Sequence, residues 1–269
     1  MAEKTILKWA GSKVGIMEQL RPHLPKTKRL VEPLAGSCAV MMNTDYEQYL
    51  IADINFDLTN LYMCAKHEAD DLILNGKAVF SFKNDEVNYK KLRYLFNEKM
   101  ADIPIEKLAV IFLFLNRHGF NGLCRYNQSG KFNVPFGRYK KPYFPENEIR
   151  AFSAKAHKAE ITCQKWEETL LQVNAGDGVY CDPPYMGTGF TLYAAGGFND
   201  DDHISLAETL AVLHDHSGIP VTVSNSLTAK ELYADLGFTI HEIEAPRTIA
   251  ANGNRKKAPE IIAVLGGCQ

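Results

Sequence analysis

The chain has no long apolar run. Its longest, Leu108 to Leu115 (LAVIFLFL), falls well short of the ~18 to 20 residues that span a bilayer. The opening MAEKTILKWAGSK mixes Glu3, Lys4 and Lys8 with apolar residues and has no h-region, so neither a signal peptide nor a transmembrane segment is expected. Cysteine is sparse: the six, at positions 38, 64, 124, 163, 181 and 268, form no C-x-x-C. That spacing argues against a disulfide framework or a zinc site and predicts reduced thiols in a cytoplasm. G-x-G-x-x-G and G-x-x-x-x-G-K-[ST] are missing, which disfavours a dinucleotide enzyme and an NTPase. H-E-x-x-H and G-x-S-x-G are missing too, so neither a zinc nor a serine hydrolase is indicated. No Pro-Cys dipeptide occurs, so covalent attack on cytosine by a cysteine is unsupported. His214 and His216 are two apart, and on a helix such residues point apart. No metal site is expected.

Excess charge of one sign is also lacking: 30 basic and 32 acidic side chains leave a net charge of -2. The whole chain does not advertise a polyanion partner, but its local distribution does. From Arg117 to Lys141 there are six basic residues and no acid, interleaved with Phe120, Tyr126, Phe132, Phe136 and Tyr139. A second stretch, Arg247 to Lys257, holds four more and no acid. Concentrated basic stretches with aromatics on a neutral chain point to a phosphate-facing surface; a solvated loop is the plainer reading of the first stretch alone.

What is present is a soluble α/β pattern. With 269 residues, 46% hydrophobic and 23% charged, the chain suits one large domain or two unequal ones. Leu30–Glu32 and Tyr49–Ile54 read as strands, with a short helix Cys38–Asn43 between them, the opening of a βαβ unit. Residues 58–66, 88–99 and 105–116 read as helices. Strands resume at 160–163, 178–181, 219–224, 239–243 and 261–265, with helices at 202–215 and 229–236. The expectation is an α/β domain from 1–55 and 145–269, interrupted by a mainly helical insert over 56–144. Residues 67–87 carry no readable signal.

Three motifs fall at strand ends, where open α/β sheets bind ligands. Asp182-Pro183-Pro184-Tyr185 follows the apolar strand GVYC. Its prolines fix the backbone and lack N–H groups, leaving a carboxylate, a carbonyl and a flat ring to meet a planar base with an exocyclic amine. Val31-Glu32-Pro33-Leu34-Ala35-Gly36-Ser37 is a small-residue turn that lets a ligand approach the backbone. Asp53, about twenty residues further on, is placed to bind a ribose hydroxyl, or to act as a simple strand-end acid. Leu7-Lys8-Trp9-Ala10-Gly11-Ser12-Lys13 could cover a ligand, or could be a buried tryptophan beside solvated lysines.

Taken in order, LKWAGSK, VEPLAGS, ADIN, FLNRHGFNGLCRYN, NVPFGRYKKPYF, YCDPPY, VTVSNS and RTIAANGNRKK resemble the Dam-type DNA adenine-N6 methyltransferases over nearly the whole chain. The resemblance implies a Rossmann-like, S-adenosylmethionine-dependent methyltransferase sheet with an inserted helical target-recognition domain, acting on duplex 5'-GATC. It puts Trp9, Lys13, Glu32, Pro33, Gly36, Ser37, Asp53, Ile54 and Asp182 at the cofactor, and Asp182, Pro183 and Tyr185 at the reacting amine. It puts Lys8 on the first base pair, Leu123, Arg125, Pro135 and Tyr139 on the rest, and Phe120 and Asn121 as a wedge. Asn127, Asn133, Arg138 and Lys140 complete the expected DNA contacts, with Arg125 suited to guanine and Arg138 and Lys140 to phosphates. No obligate protein partner is implied. The chain departs from the family twice: Cys38 stands where a second motif glycine is usual, and Phe120 where the wedge is usually tyrosine. Rival readings are another methyl acceptor (cytosine N4, RNA adenine or a glutamine amide), a DNA-binding module that has lost catalysis, and a hydride-transfer enzyme. The last lacks its glycine fingerprint.

Overall fold

The computed structural model describes residues 2–98, 103–187, 197–246 and 258–266. Seven strands form one sheet: β1 Arg29–Glu32, β2 Gln48–Asp53, β3 Ala159–Cys163, β4 Asp177–Cys181, β5 Val221–Ser226, β6 Thr239–Ala245 and β7 Ala258–Leu265. Their spatial order is β3-β2-β1-β4-β5-β7-β6. The first five are parallel, and β7 runs antiparallel between β5 and β6. This is the Rossmann-like sheet expected from the sequence.

The strand sequences explain the layering. Side chains alternate across a strand, and these strands feed two cores. Leu30, Ile51, Tyr180 and Ile262 enter one core, while Val31, Leu50, Val179 and Ile261 enter the other. Central parallel strands are covered on both faces, hence the near-continuous apolar runs. At the far end from the site, Arg29 donates Nε and Nη2 to the Asp177 carboxylate at 3.0 and 2.6 Å, tying the starts of β1 and β4 together.

Ten α-helices lie among the described residues: α1 Met17–Leu20, α2 Ala39–Met42, α3 Phe56–His67, α4 Ala69–Phe80, α5 Glu86–Glu98, α6 Ile105–His118, α7 Glu146–Ala156, α8 Trp166–Leu170, α9 Asp200–Ser217 and α10 Lys230–Asp235. The apolar run LAVIFLFL lies within α6, whose residues from Leu108 to His118 are all buried. A helix apolar all round is a core helix, and α3, α4 and α5 pack about it. Helix α3 also packs on β2 and β3, so sheet and helical segment share one continuous core.

The expected strands and helices recur with ends moved by a few residues; Lys99 lies outside the described residues. Helix α4 occupies the stretch that carried no readable signal, and α7 is a further helix that the sequence did not announce. The second basic stretch, Arg247 to Lys257, also lies outside the described residues. No helix among them is long and apolar enough to cross a membrane.

Candidate active site

The carboxyl ends of β1, β2, β4 and β5 open onto one cavity of about 460 Å³. Strands β1 and β4 are neighbours there although the chain between them makes β2 and β3. That is a topological switch point, where such sheets leave a crevice. Because β7 runs the other way, its first residues, Ala258 to Glu260, reach the same end and line the cavity.

Asp182 follows β4 directly. Its Oδ1 lies 2.7 Å from the ammonium of buried Lys13, which also donates to the Gly11 carbonyl at 2.8 Å. Burial pushes the Asp182 carboxyl up to about 6; Lys13 opposes that shift and Glu260 adds to it. Tyr185 donates its hydroxyl to Glu260 Oε2 at 2.5 Å, and the Lys13 ammonium lies 4.8 Å from its ring centroid. The turn beyond is tied to β5: the Met186 N–H donates to Asn225 Oδ1 at 3.1 Å, and Ser226 Oγ donates to the Met186 carbonyl at 2.8 Å. Pro183 lines the cavity between Asp182 and Tyr185.

The other half of the cavity is built by the turn after β1. Glu32 is 2% exposed, and its Oε1 has no hydrogen-bond partner. Burial pushes its carboxyl up to about 8, against a bond from the Met41 backbone and with help from Asp182. Asp53 accepts the N–H of Gly36 at 3.0 Å on one oxygen and that of Asn55 at 2.9 Å on the other; burial raises its carboxyl as well. Gly36 has φ of +48°, and a Cβ there would lie 3.0 Å from Trp9 Nε1, so glycine lets the indole close over the turn. Ser37 donates to Ser12 at 3.0 Å, joining this turn to the Trp9 segment. Trp9, Lys13, Glu32, Gly36, Ser37, Asp53 and Ile54 all line the cavity, whereas Pro33 is buried behind it. Cys38 sits at φ of +56° and is buried. The missing glycine therefore falls where the backbone is left-handed, a conformation costing other residues about 1–2 kcal/mol.

The basic segment folds back on itself after α6. Phe120 N–H donates to Pro135 O and Gly137 N–H to His118 O, both at 2.8 Å. Asn133 N–H reaches Arg125 O at 3.0 Å and Asn127 N–H reaches Lys131 O at 2.9 Å. Asn127 Oδ1 also accepts from Ser129 and Lys131, shaping the turn. Arg125 donates Nε to Asn133 Oδ1 at 2.8 Å, so these two are one unit. The Lys8 ammonium lies 4.0 Å from the centroid of the Tyr139 ring. Fully buried Asn116 joins their segments, donating to the carbonyls of Lys8 and Gly122 and accepting the Lys8 N–H. Phe120 is 48% exposed, Asn121 is half-buried at φ of +55°, and Pro135, Arg138 and Lys140 are exposed.

Two residues are placed otherwise than expected. Leu123 is 8% exposed and packed in the core, supporting the segment from beneath. Arg117, counted in the basic stretch, is turned inward: its guanidinium donates to the carbonyls of Ile6 and Thr5, and burial lowers its pKa to about 10. Its charge faces those carbonyls rather than any phosphate.

With that geometry in view, the chain's relatives can be named. Residues 9–249 match the model of the D12 class N6 adenine-specific DNA methyltransferases. The chain belongs to this family. It is 51% identical to the retron Ec67 DNA adenine methylase of Escherichia coli, over 97% of this chain and 91% of that one. It is 42% identical to a DNA adenine methylase of Vibrio cholerae serotype O1, covering 98% and 96%. To the DNA adenine methylase of E. coli K12 it is 39% identical, covering 97% and 95%. The methyltransferase thus acts on DNA adenine at N6 with a methyl donor. Among the described residues no group of three or more His, Cys, Asp or Glu is placed to hold a metal ion.

Sequence reasoning missed Glu260, Asn225, Ser226 and Asn116. VTVSNS marked the ends of β5 only as a family motif. A lone acid inside the apolar strand APEIIAVL was the available signal for Glu260.

Proposed function

We propose that this methyltransferase moves a methyl group from S-adenosylmethionine to the N6 of adenine in duplex 5'-GATC, after the adenine has left the helix. The observation that carries this reading is one cavity in which Asp182, Tyr185, Asp53 and Glu32 meet, beside a basic folded segment. An adenine amine inside the stack cannot reach such a cavity.

The residues fit the methyl donor. The absent Cβ at Gly36 leaves the indole of Trp9 against the turn, and each Asp53 oxygen keeps acceptor capacity for a ribose hydroxyl beyond its one backbone bond. The orphaned Glu32 oxygen offers a buried acceptor to a cationic group. When bound, the donor supplies an electrophilic methyl on a sulfonium. Asp182 and the Pro183 carbonyl accept the two N6 hydrogens and draw the nitrogen lone pair out of the ring. Lys13 keeps Asp182 ionised against its burial, so that it can accept. Tyr185 stacks on the base. Catalysis of this kind is positioning and fixed acceptors rather than covalent help.

We assign the sheet segments 1–55 and 145–269 to catalysis and 56–144 to target recognition, with α3 serving both through its packing on the sheet. Lys8, Arg125, Pro135 and Tyr139 read bases; Asn133 aims Arg125, and Asn127 holds the turn. Phe120 and Asn121 fill the space left by the adenine, and unstacking of a few kcal/mol is offset by such wedges and by phosphate contacts. Arg138 and Lys140 hold phosphates. The reaction belongs to the bacterial cytoplasm, where the DNA is.

The test is transfer of labelled methyl to two short duplexes, one with a single GATC and one scrambled to GTAC. Label on GATC alone is expected. Equal label on both would discard the recognition reading and leave the DNA methyltransferase.

A further inference from the structure

Glu260 has no task in the mechanism above, yet it is the residue that meets the Tyr185 hydroxyl. We propose that Glu260 is a positioning residue for the target base, holding the Tyr185 ring in the orientation that stacks on it. This rests on the reading that Tyr185 stacks on the flipped adenine.

Three observations carry it. The phenol-to-carboxylate separation of 2.5 Å belongs to the short, charge-assisted class of hydrogen bonds. A bond at the para oxygen pins the far end of the ring and so fixes χ1 from β7 as well as from the turn. That oxygen lies on the χ2 axis, so the bond biases the ring plane through the phenol O–H, which prefers to lie in that plane. Second, Glu260 is rigidly carried: it pairs with Ser226 on β5 and with Ile243 on β6. Asn225 and Ser226 hold the backbone of Met186, so main chain and ring are fixed from adjacent strands. Third, among the described residues no cation pairs with Glu260. Its charge is directed at the site rather than spent in an ion pair.

That charge has a second reach. Asp182 is faced by Lys13 from the first turn, Glu32 from β1, Tyr180 from β4, Tyr185 from its own turn and Glu260 from β7. Of these Glu260 raises the Asp182 carboxyl and Lys13 lowers it. Removing Glu260's charge therefore moves the acid limb of the kcat profile to lower pH.

The experiment is a double-variant cycle on the full-length enzyme. Glu260→Ala and Tyr185→Phe each break the same bond, so each is expected to lower kcat by on the order of tenfold to a hundredfold. The two together should cost no more than one. Glu260→Gln keeps an acceptor and should recover most of the rate, with its acid limb at lower pH. A duplex with 2-aminopurine at the target position should be brighter on Glu260→Ala than on the parent enzyme, because a loosely held ring quenches less. No emission change when the parent enzyme binds this duplex would refute the stacking reading itself. A normal parent response, with equal emission from Glu260→Ala or additive losses in the cycle, would overturn the role of Glu260 alone. If Glu260→Ala does not fold, the same cycle run with Glu260→Met, which fills the space without an acceptor oxygen, and Tyr185→Phe decides the matter.

Discussion

Glu32 is a buried carboxyl with one oxygen left without a partner, and Glu32→Gln turns that into a measurable quantity. The folded protein holds this group at about 8 against an ordinary 4.5. A raised carboxyl pKa means that the folded state binds the proton more tightly than the unfolded chain. Its stability is then undiminished below pH 4.5, falls as pH rises from 4.5 to about 8, and stays low above that. At 1.36 kcal/mol per unit, the penalty is ~1 kcal/mol at pH 5 and ~4 kcal/mol at pH 8. Glutamine has nearly the shape of the neutral acid and can keep the Met41 bond, so it removes the pH-dependent part alone. Urea denaturation of both proteins at pH 5 and pH 8 reads this directly. The variant should gain about 3 kcal/mol more at pH 8 than at pH 5. Equal gains at the two pH values would refute the argument, whatever their size. The same reasoning reaches binding: a cation arriving beside Glu32 favours the charged carboxylate. Donor affinity should rise with pH between about 6 and 8 in the parent, and this slope should vanish in the variant, as calorimetry in buffers of different ionisation heat would show.

As the proposed acceptor for the amine, Asp182 would have to be ionised, and it is held at about 6; single-turnover rates should fall as pH drops through that value, and Asp182→Ala should abolish methyl transfer while gel-shift affinity for DNA persists. Arg125→Ala should cost about 1–3 kcal/mol of discrimination at one base pair, whereas Lys140→Ala should weaken all duplexes alike and reduce the salt slope by about one; identical profiles from a panel of single-base variants of the site would defeat that division. Arg117→Met should lower the urea midpoint, because it strips the Ile6 and Thr5 carbonyls of their donor, and leave the salt slope unchanged. Cys38→Gly should be at least as stable as Cys38→Ala, because alanine keeps the left-handed strain of about 1–2 kcal/mol and glycine forfeits only about 0.5–1 kcal/mol of chain entropy; thermal melts decide.

The parallel strands were legible because each is a short apolar run bounded by turn residues, and their site residues came with them. Asp53 and Asp182 stand at the carboxyl ends of β2 and β4, so recognising the strands located the acids. Helix α4 was not legible. Its buried residues are only Leu72, Ile73 and Gly76, too few to show a period. They suffice because α4 lies on α6, whose apolar surface does the burying. Glu260 was illegible for a topological reason: only the antiparallel course of β7 brings the start of that strand to the carboxyl ends of the others. Arg117 failed in a third way. A count of charges weights every arginine equally, and its carbonyl partners, Thr5 and Ile6, lie more than a hundred residues away in sequence.

That last error bears on how charge is distributed. With Arg117 buried, Lys131 paired to Glu98 at 3.0 Å and Arg138 lying 3.9 Å from Glu86, the basic face of the folded segment rests mainly on Arg125, Lys140 and Lys141. The cavity is the reverse. Glu32, Asp53, Asp182 and Glu260 line it, against the one cation Lys13 among its described lining residues. A net charge of -2 thus conceals two opposed surfaces. Under the proposed mechanism, such a cavity suits a cationic methyl donor and repels the phosphate backbone, so that only the uncharged base would gain by entering. With the proposed sulfonium donor, transfer would remove its positive charge, and with it an attraction to those carboxylates. On that proposed reading, one arrangement of carboxylates would favour entry of the donor, exclude the DNA backbone and loosen its hold once the methyl group has moved.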